Sequence, residues 1–169
     1  MKTLVIYDSF FGNTEQIARA IGNALGSPDD VEILRVGDVK PEELMNADLL
    51  IVGSPTRAFR PSPATTRLLK SIARRALDGV NVAAFDTRVT EEEIAKGPWI
   101  LRKMVRIFGY AAKPIADMLV KKGGTLVAAP EGFFVEGNEG PLKEGELERA
   151  EKWARQFGRT LSIDIRARI

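Results

Sequence analysis

Five short apolar runs, Leu4–Tyr7, Val31–Val36, Asp48–Gly53, Val80–Phe85 and Gly124–Ala129, are spaced along the chain between stretches of helical periodicity. Turn-forming residues bound each run, which is the pattern of buried parallel strands joined by crossover helices. Asp48-Leu-Leu-Ile-Val-Gly is apolar without alternation, as expected of a central strand covered on both faces. After the first run, Ile17, Ala18, Ile21 and Leu25 share one stripe of a helix that starts near Asn13 and closes at Gly26. A helix is predicted near Ala64–Ala76, and a last one near Glu144–Arg159 carries Leu147, Ala150, Trp153, Ala154 and Phe157 along one side. Between Ile94 and Gly124 the spacing predicts two helices. Pro98 opens the first and Gly109 ends it; Pro114 opens the second, which stops at Gly123-Gly124. No repeat or linker divides the 169 residues, which suit one domain spanning 1–169. The assembly expected is a three-layer α/β fold, a doubly wound five-stranded parallel sheet of order 2-1-3-4-5, with ligands at the carboxyl ends of the strands where the winding reverses.

The first strand end has the chemistry of a phosphate site. Ser9, Asn13 and Thr14 offer hydroxyl and amide groups, Gly12 permits close backbone approach, and the following helix aims its unpaired N–H groups and positive dipole end at the same point. The turn has neither the Lys of the nucleoside-triphosphate loop nor the repeated glycines of the dinucleotide loop. Ser-x-x-Gly-Asn-Thr after a first strand resembles the phosphate loop of flavodoxins. That resemblance implies FMN, its terminal phosphate wrapped by Ser9, Phe10, Phe11, Gly12, Asn13 and Thr14. Gly53-Ser-Pro-Thr-Arg after the third strand is similar to the Gly-x-Pro-Thr-Arg segment of flavodoxin-like quinone reductases. It implies that Ser54, Pro55, Thr56, Arg57 and Ala58 run beside the isoalloxazine and ribityl chain, with Phe59 covering one ring face. Asp86, Thr87 and Arg88 after the fourth strand are the third loop of such a cofactor site. Flavodoxins place a Tyr or Trp there, but residues 86–94 contain none, so Trp99, Phe133 or Phe134 are the candidates to replace it. Phe11 likewise stands where another hydroxyl is common. A Gly-Pro-Leu segment before the last helix extends the resemblance over most of the chain.

Composition narrows the chemistry. There is no Cys and no His, which removes thiolate catalysis, disulfides, iron–sulfur ligation, Cys- or His-built metal sites and the commonest general base. A borrowed cofactor or carboxylates are left to do the work. No charged leader precedes an apolar stretch and no apolar run approaches membrane-spanning length, so a cytoplasmic protein without a transmembrane segment is expected. The net charge is +2, where flavodoxins that pass single electrons are typically acidic. Arg57, Arg60 and Arg88 near a flavin would stabilise its anionic reduced form by about 1 kcal/mol or more and favour two-electron behaviour. Seven basic residues and one acidic one, Asp117, lie between Lys96 and Lys122, and Leu101, Met104, Val105 and Phe108 make an amphipathic stripe there that suits a lid or docking element. Glu131 and Glu136 receive no role. Nucleic-acid binding is not expected, because acidic and basic totals nearly balance and no basic groove with interleaved aromatics is visible. A phosphotransfer receiver lacks its acidic pair, Asp and Lys. The expectation is a flavodoxin-like FMN protein carrying electrons between redox partners. The alternatives are an FMN-dependent NAD(P)H oxidoreductase of quinone-reductase type and a flavin-free binding or regulatory domain.

Overall fold

The computed structural model describes residues 1–166, apart from the side chains of Leu101, Ile107, Phe108 and residues 162–166. Part of the amphipathic stripe at 101–108 and the tail beyond 166 therefore lie outside the described residues. Strands β1 (Thr3–Tyr7), β2 (Val31–Arg35), β3 (Leu49–Pro55) and β4 (Asn81–Val89) pair in parallel in the order β2-β1-β3-β4. The fifth position is shared by two strands. β5 (Thr125–Leu126) pairs with the start of β4, and β6 (Glu131–Val135) pairs with its end. The expected order 2-1-3-4-5 holds, with the run at Gly124–Ala129 pairing over only two residues. Ala129-Pro130 follows, and Pro130 has no N–H to continue the ladder.

Among the described residues seven α-helices surround the sheet: α1 (Asn13–Leu25), α2 (Pro41–Leu44), α3 (Pro63–Ser71), α4 (Glu91–Lys96), α5 (Trp99–Phe108), α6 (Ala112–Lys121) and α7 (Glu146–Arg166). The third is shorter than expected, ending at Ser71 because Ile72 turns extended to enter the core. α4 was not expected at all, although Thr90 and Glu93 form a reciprocal capping box at its start. α5 runs between Pro98 and Gly109 as its two end residues predict. α6 begins two residues before Pro114, which sits in the first turn where its missing N–H costs nothing.

Alternation along the strands sends successive side chains to opposite layers. Leu4, Ile6, Leu50, Val52, Val82 and Ala84 pack with Leu68, Leu69 and Ile72 of the α3 region and with Ile115 and Leu119 of α6. Val5, Tyr7, Leu49, Ile51, Ala83 and Phe85 pack with Ile17 and Ile21 of α1 and with Trp153 and Phe157 of α7. Phe85, Phe133 and Trp153 meet edge to face, with ring centroids 6.1 to 6.5 Å apart. No helix among the described residues is long and apolar enough to cross a membrane.

Register levels the strand ends. Tyr7 of β1 lies opposite Gly53 of β3, which lies opposite Phe85 of β4. A Cβ on Gly53 would stand 2.0 Å from the Phe85 ring, so the glycine gives this core ring its room. Gly53→Ala should cost about 2 kcal/mol in urea unfolding through overpacking. Combining it with Phe85→Leu should recover part of that loss, a coupling that two independent sites would not show.

Candidate functional site

At the end of β1 the chain turns through buried Asp8, whose Oδ1 accepts the Ser9 N–H at 2.9 Å. Ser9 Oγ in turn accepts the Gly12 N–H at 3.0 Å. Arg35 buttresses this turn from β2 by donating to the Ser9 carbonyl at 2.7 Å. Gly12 takes the N-cap of α1 at φ +84° and, lacking a side chain, supplies no capping acceptor. The first N–H groups of α1 therefore have no acceptor within the helix, and a Cβ at Gly12 would meet nothing within 4 Å. Thr14 and Thr87 share a hydrogen bond at 2.8 Å, joining the first loop to the third. Asn13 Nδ2 donates to the Glu139 carbonyl at 2.8 Å, an approach that Gly140 permits, since a Cβ there would lie 2.4 Å from the Asn13 amide.

The loop after β3 folds back on itself. Arg57 and Arg60 exchange backbone hydrogen bonds at 3.0 Å in both directions, with Ala58 (φ +46°) and Phe59 (φ +65°) at the turn. Two consecutive non-glycine residues in the left-handed region mark a strained tight turn held by its surroundings. Buried Ser54 anchors the loop by accepting the Ser62 N–H at 2.8 Å, and Ser62 then caps α3 through the Thr65 N–H. The Arg57 guanidinium lies 5.1 Å from the Phe10 ring centroid and 5.9 Å from that of Phe11, and both rings are half exposed.

At the end of β4, Asp86 is fully buried and takes the Arg88 guanidinium in two bonds of 2.5 and 2.7 Å. It also accepts the Ala112 N–H at 2.7 Å, while Thr56 Oγ1 accepts the neighbouring Ala111 N–H at 2.9 Å. Burial pushes the Asp86 carboxyl up against the opposing pull of Arg88 and these hydrogen bonds. The same guanidinium sits 3.8 Å from the Tyr110 ring centroid. The Tyr110 hydroxyl is buried with no hydrogen-bond partner, and burial raises its ionisation above the usual tyrosine value.

These loops border one cleft of about 710 Å³. Of the residues picked out in the sequence, Ser9, Phe10, Phe11, Asn13 and Thr14, then Pro55, Thr56, Arg57, Ala58 and Phe59, then Thr87 and Arg88 line it. Gly12, Ser54 and Asp86 shape the loops from behind. Trp99 stands 65% exposed outside the lining, Phe133 is buried in the core, and Phe134 lies outside the cleft as well. The aromatic beside the third loop is instead Tyr110, which follows the glycine that ends α5. Val105 of the amphipathic stripe borders the cleft as well, whereas sequence reasoning missed Ile94, Asn138 and Glu139. The glycines at 137 and 140, flanking Asn138-Glu139, were the available signal for the last two. Glu131 ion-pairs with Arg149 at 2.8 Å. Among the described residues no three acidic side chains are grouped as a metal site.

A sequence profile described as flavodoxin domain matches residues 4–122. The chain belongs to this family of flavin-binding electron-transfer domains. Its fold is similar to an archaeal flavodoxin, at 22% identity over 96% of this chain and 99% of that one, with a TM-score of 0.70. Oxidised flavodoxin 2 from Bacillus cereus gives 24% identity over 95% and 99% of the two chains, with a TM-score of 0.72. Rubredoxin oxygen:oxidoreductase from Desulfovibrio gigas is similar over 97% of this chain but only 37% of its own, at 21% identity and a TM-score of 0.70.

Two outcomes follow from the third loop. Asp86→Asn should destabilise the protein by about 3 to 5 kcal/mol in denaturant titration, because it leaves the Arg88 charge without its counter-ion. Tyr110→Phe should gain about 1 kcal/mol by removing an unsatisfied hydroxyl. The folded state holds the Tyr110 proton more tightly than the unfolded chain does. That stability is present below pH 10.0 and is lost as pH rises past it, so the variant should lose less on alkaline titration than the parent.

Proposed function

We propose that the cleft holds FMN and that the protein carries electrons between redox partners. The observation that carries this reading is the start of α1: a glycine N-cap without a side-chain acceptor, aimed into a cleft that three loops close. A dianionic phosphate there would accept the free first-turn N–H groups and the Thr14 hydroxyl, and would be favoured by the helix dipole. Ser9 Oγ accepts the Gly12 N–H, which shapes the turn and leaves the hydroxyl proton for the phosphate. The Arg57 loop and Tyr110 offer the flat and polar surfaces that a ring system needs, in place of the aromatic absent from residues 86–94. When bound, FMN supplies electron and hydride chemistry at its ring, which a chain without Cys or His otherwise lacks.

The protein's contribution is placement and electrostatics. Arg88 faces the cleft with its charge taken up by Asp86, and Arg60 lies outside the lining, so Arg57 is the principal positive group beside the ring. Its guanidinium favours an added negative charge and lowers the cost of gaining electrons. That single cation is what supports the second reading, an FMN-dependent NAD(P)H oxidoreductase that reduces a quinone-type acceptor. Residues 1–169 are read as one functional domain.

FMN titration followed by flavin absorbance tests the proposal. Gly12→Asp places a carboxylate at the helix start and should weaken FMN at least tenfold while leaving riboflavin, which has no phosphate, little changed. Loss of neither ligand would place the phosphate elsewhere. Anaerobic NADPH then separates the two readings: rapid bleaching marks the oxidoreductase, whereas bleaching by dithionite alone marks the carrier.

A further inference from the structure

Beside the cofactor cleft lies a second groove of about 580 Å³, lined by Phe59, Pro61, Pro63, Pro114 and Met118 with Arg60 and Arg67 among the lining side chains. Phe59 borders both hollows, so a body seated in the groove would abut the cleft. The hairpin and α3 are strongly one-signed. From Leu49 to Leu77 the chain carries six basic side chains and no carboxylate. Arg60, Arg67, Lys70 and Arg74 are exposed, and no described residue forms an ion pair with any of them. Across the groove, Lys113 is paired with Asp117 at 2.9 Å, leaving α6 locally balanced and the excess positive charge on the hairpin and α3.

We propose that this groove is a docking site for an acidic protein partner, an inference that rests on the electron-transfer reading above. The groove's apolar floor suits an inserted hydrophobic side chain, and Arg60 and Arg67 suit carboxylates set around that anchor, the usual anatomy of a hot spot with a polar rim. Guanidinium groups without an internal counter-ion also steer an oppositely charged protein during encounter. Charge complementarity therefore selects a partner of opposite sign to the one an acidic flavodoxin would take. Because the surface is concave and floored by three prolines, it receives a protruding side chain and presents no wedge for insertion into a bilayer.

The test uses an acidic plant-type ferredoxin as probe, basic cytochrome c as control, and phosphatidylglycerol vesicles for the membrane case. Binding is measured by calorimetry and by amide shift mapping on the protein with and without FMN. The ferredoxin should bind at low salt, shift the Phe59, Arg60, Thr66, Arg67 and Met118 amides, and weaken as ionic strength rises from about 20 to about 300 mM. Arg60→Glu with Arg67→Glu should weaken it at least tenfold, Arg60→Lys with Arg67→Lys much less, and FMN affinity should hold in both, as neither side chain lines the cofactor cleft. Thr66→Trp, which fills the groove without altering charge, should also weaken binding. No ferredoxin binding, shifts elsewhere, indifference to charge reversal, preference for cytochrome c, or vesicle binding in its place would each overturn the proposal. Ferredoxin binding without FMN uptake would uphold the docking surface and overturn the cofactor reading alone.

Discussion

A carboxylate sealed from water must find its partners within the protein, and Asp86 finds them on its own strand end, at the start of α6 and through Thr56. Ionised and buried, it is costly unless every lone pair is used. That requirement draws three segments together: the end of β4 through Arg88, the 110–112 corner through the Ala112 N–H, and the loop after β3, where Thr56 also receives the Ala111 N–H. Arg88 is held against Tyr110, and the lack of a side chain at Gly132 admits its guanidinium from the other side. The floor of the cleft is thus organised by one charge, while its upper rim is left to exposed side chains.

That arrangement alters how the arginines read. By sequence alone Arg57, Arg60 and Arg88 stand equally close to a ligand, and each is a plausible modulator of its charge. Packing sorts them into three roles. Arg88 is neutralised inside the protein, Arg57 covers two phenylalanines at the mouth, and Arg60 faces a neighbouring groove. Only a structure separates a paired cation from an unpaired one here.

The sheet order, α1, the glycine turn that opens it and the bounds of α5 were legible because each depends on local rules: apolar runs, helical spacing, a proline before and a glycine after. The split fifth strand was not, since whether Val127–Pro130 pairs depends on β4 and not on its own composition. The hairpin at Ala58-Phe59 was hidden for the opposite reason. Left-handed turns are normally announced by glycine or asparagine, and this one carries neither, so tertiary contacts impose a conformation that the local sequence resists. Tyr110 escaped notice because its role comes from the corner between two helices, 22 residues after Arg88 in the chain. α4 is a plain miss, as the Thr90 and Glu93 spacing carried the signal.

The hydrogen bond from Asn13 to the Glu139 carbonyl spans 126 positions of sequence. The helix start that faces the cleft is therefore finished by a segment made long after it, well past the 4–122 stretch that the family profile covers. A nascent chain that has emerged only as far as β5 holds most of the sheet but lacks both β6 and the strap beyond it. Closing so long a loop is entropically demanding and slow, and competence for a ligand arrives late in folding. A ligand that bridges the first loop and that strap would act as a check on this closure, stabilising chains in which β6 and the strap have docked over those in which they have not.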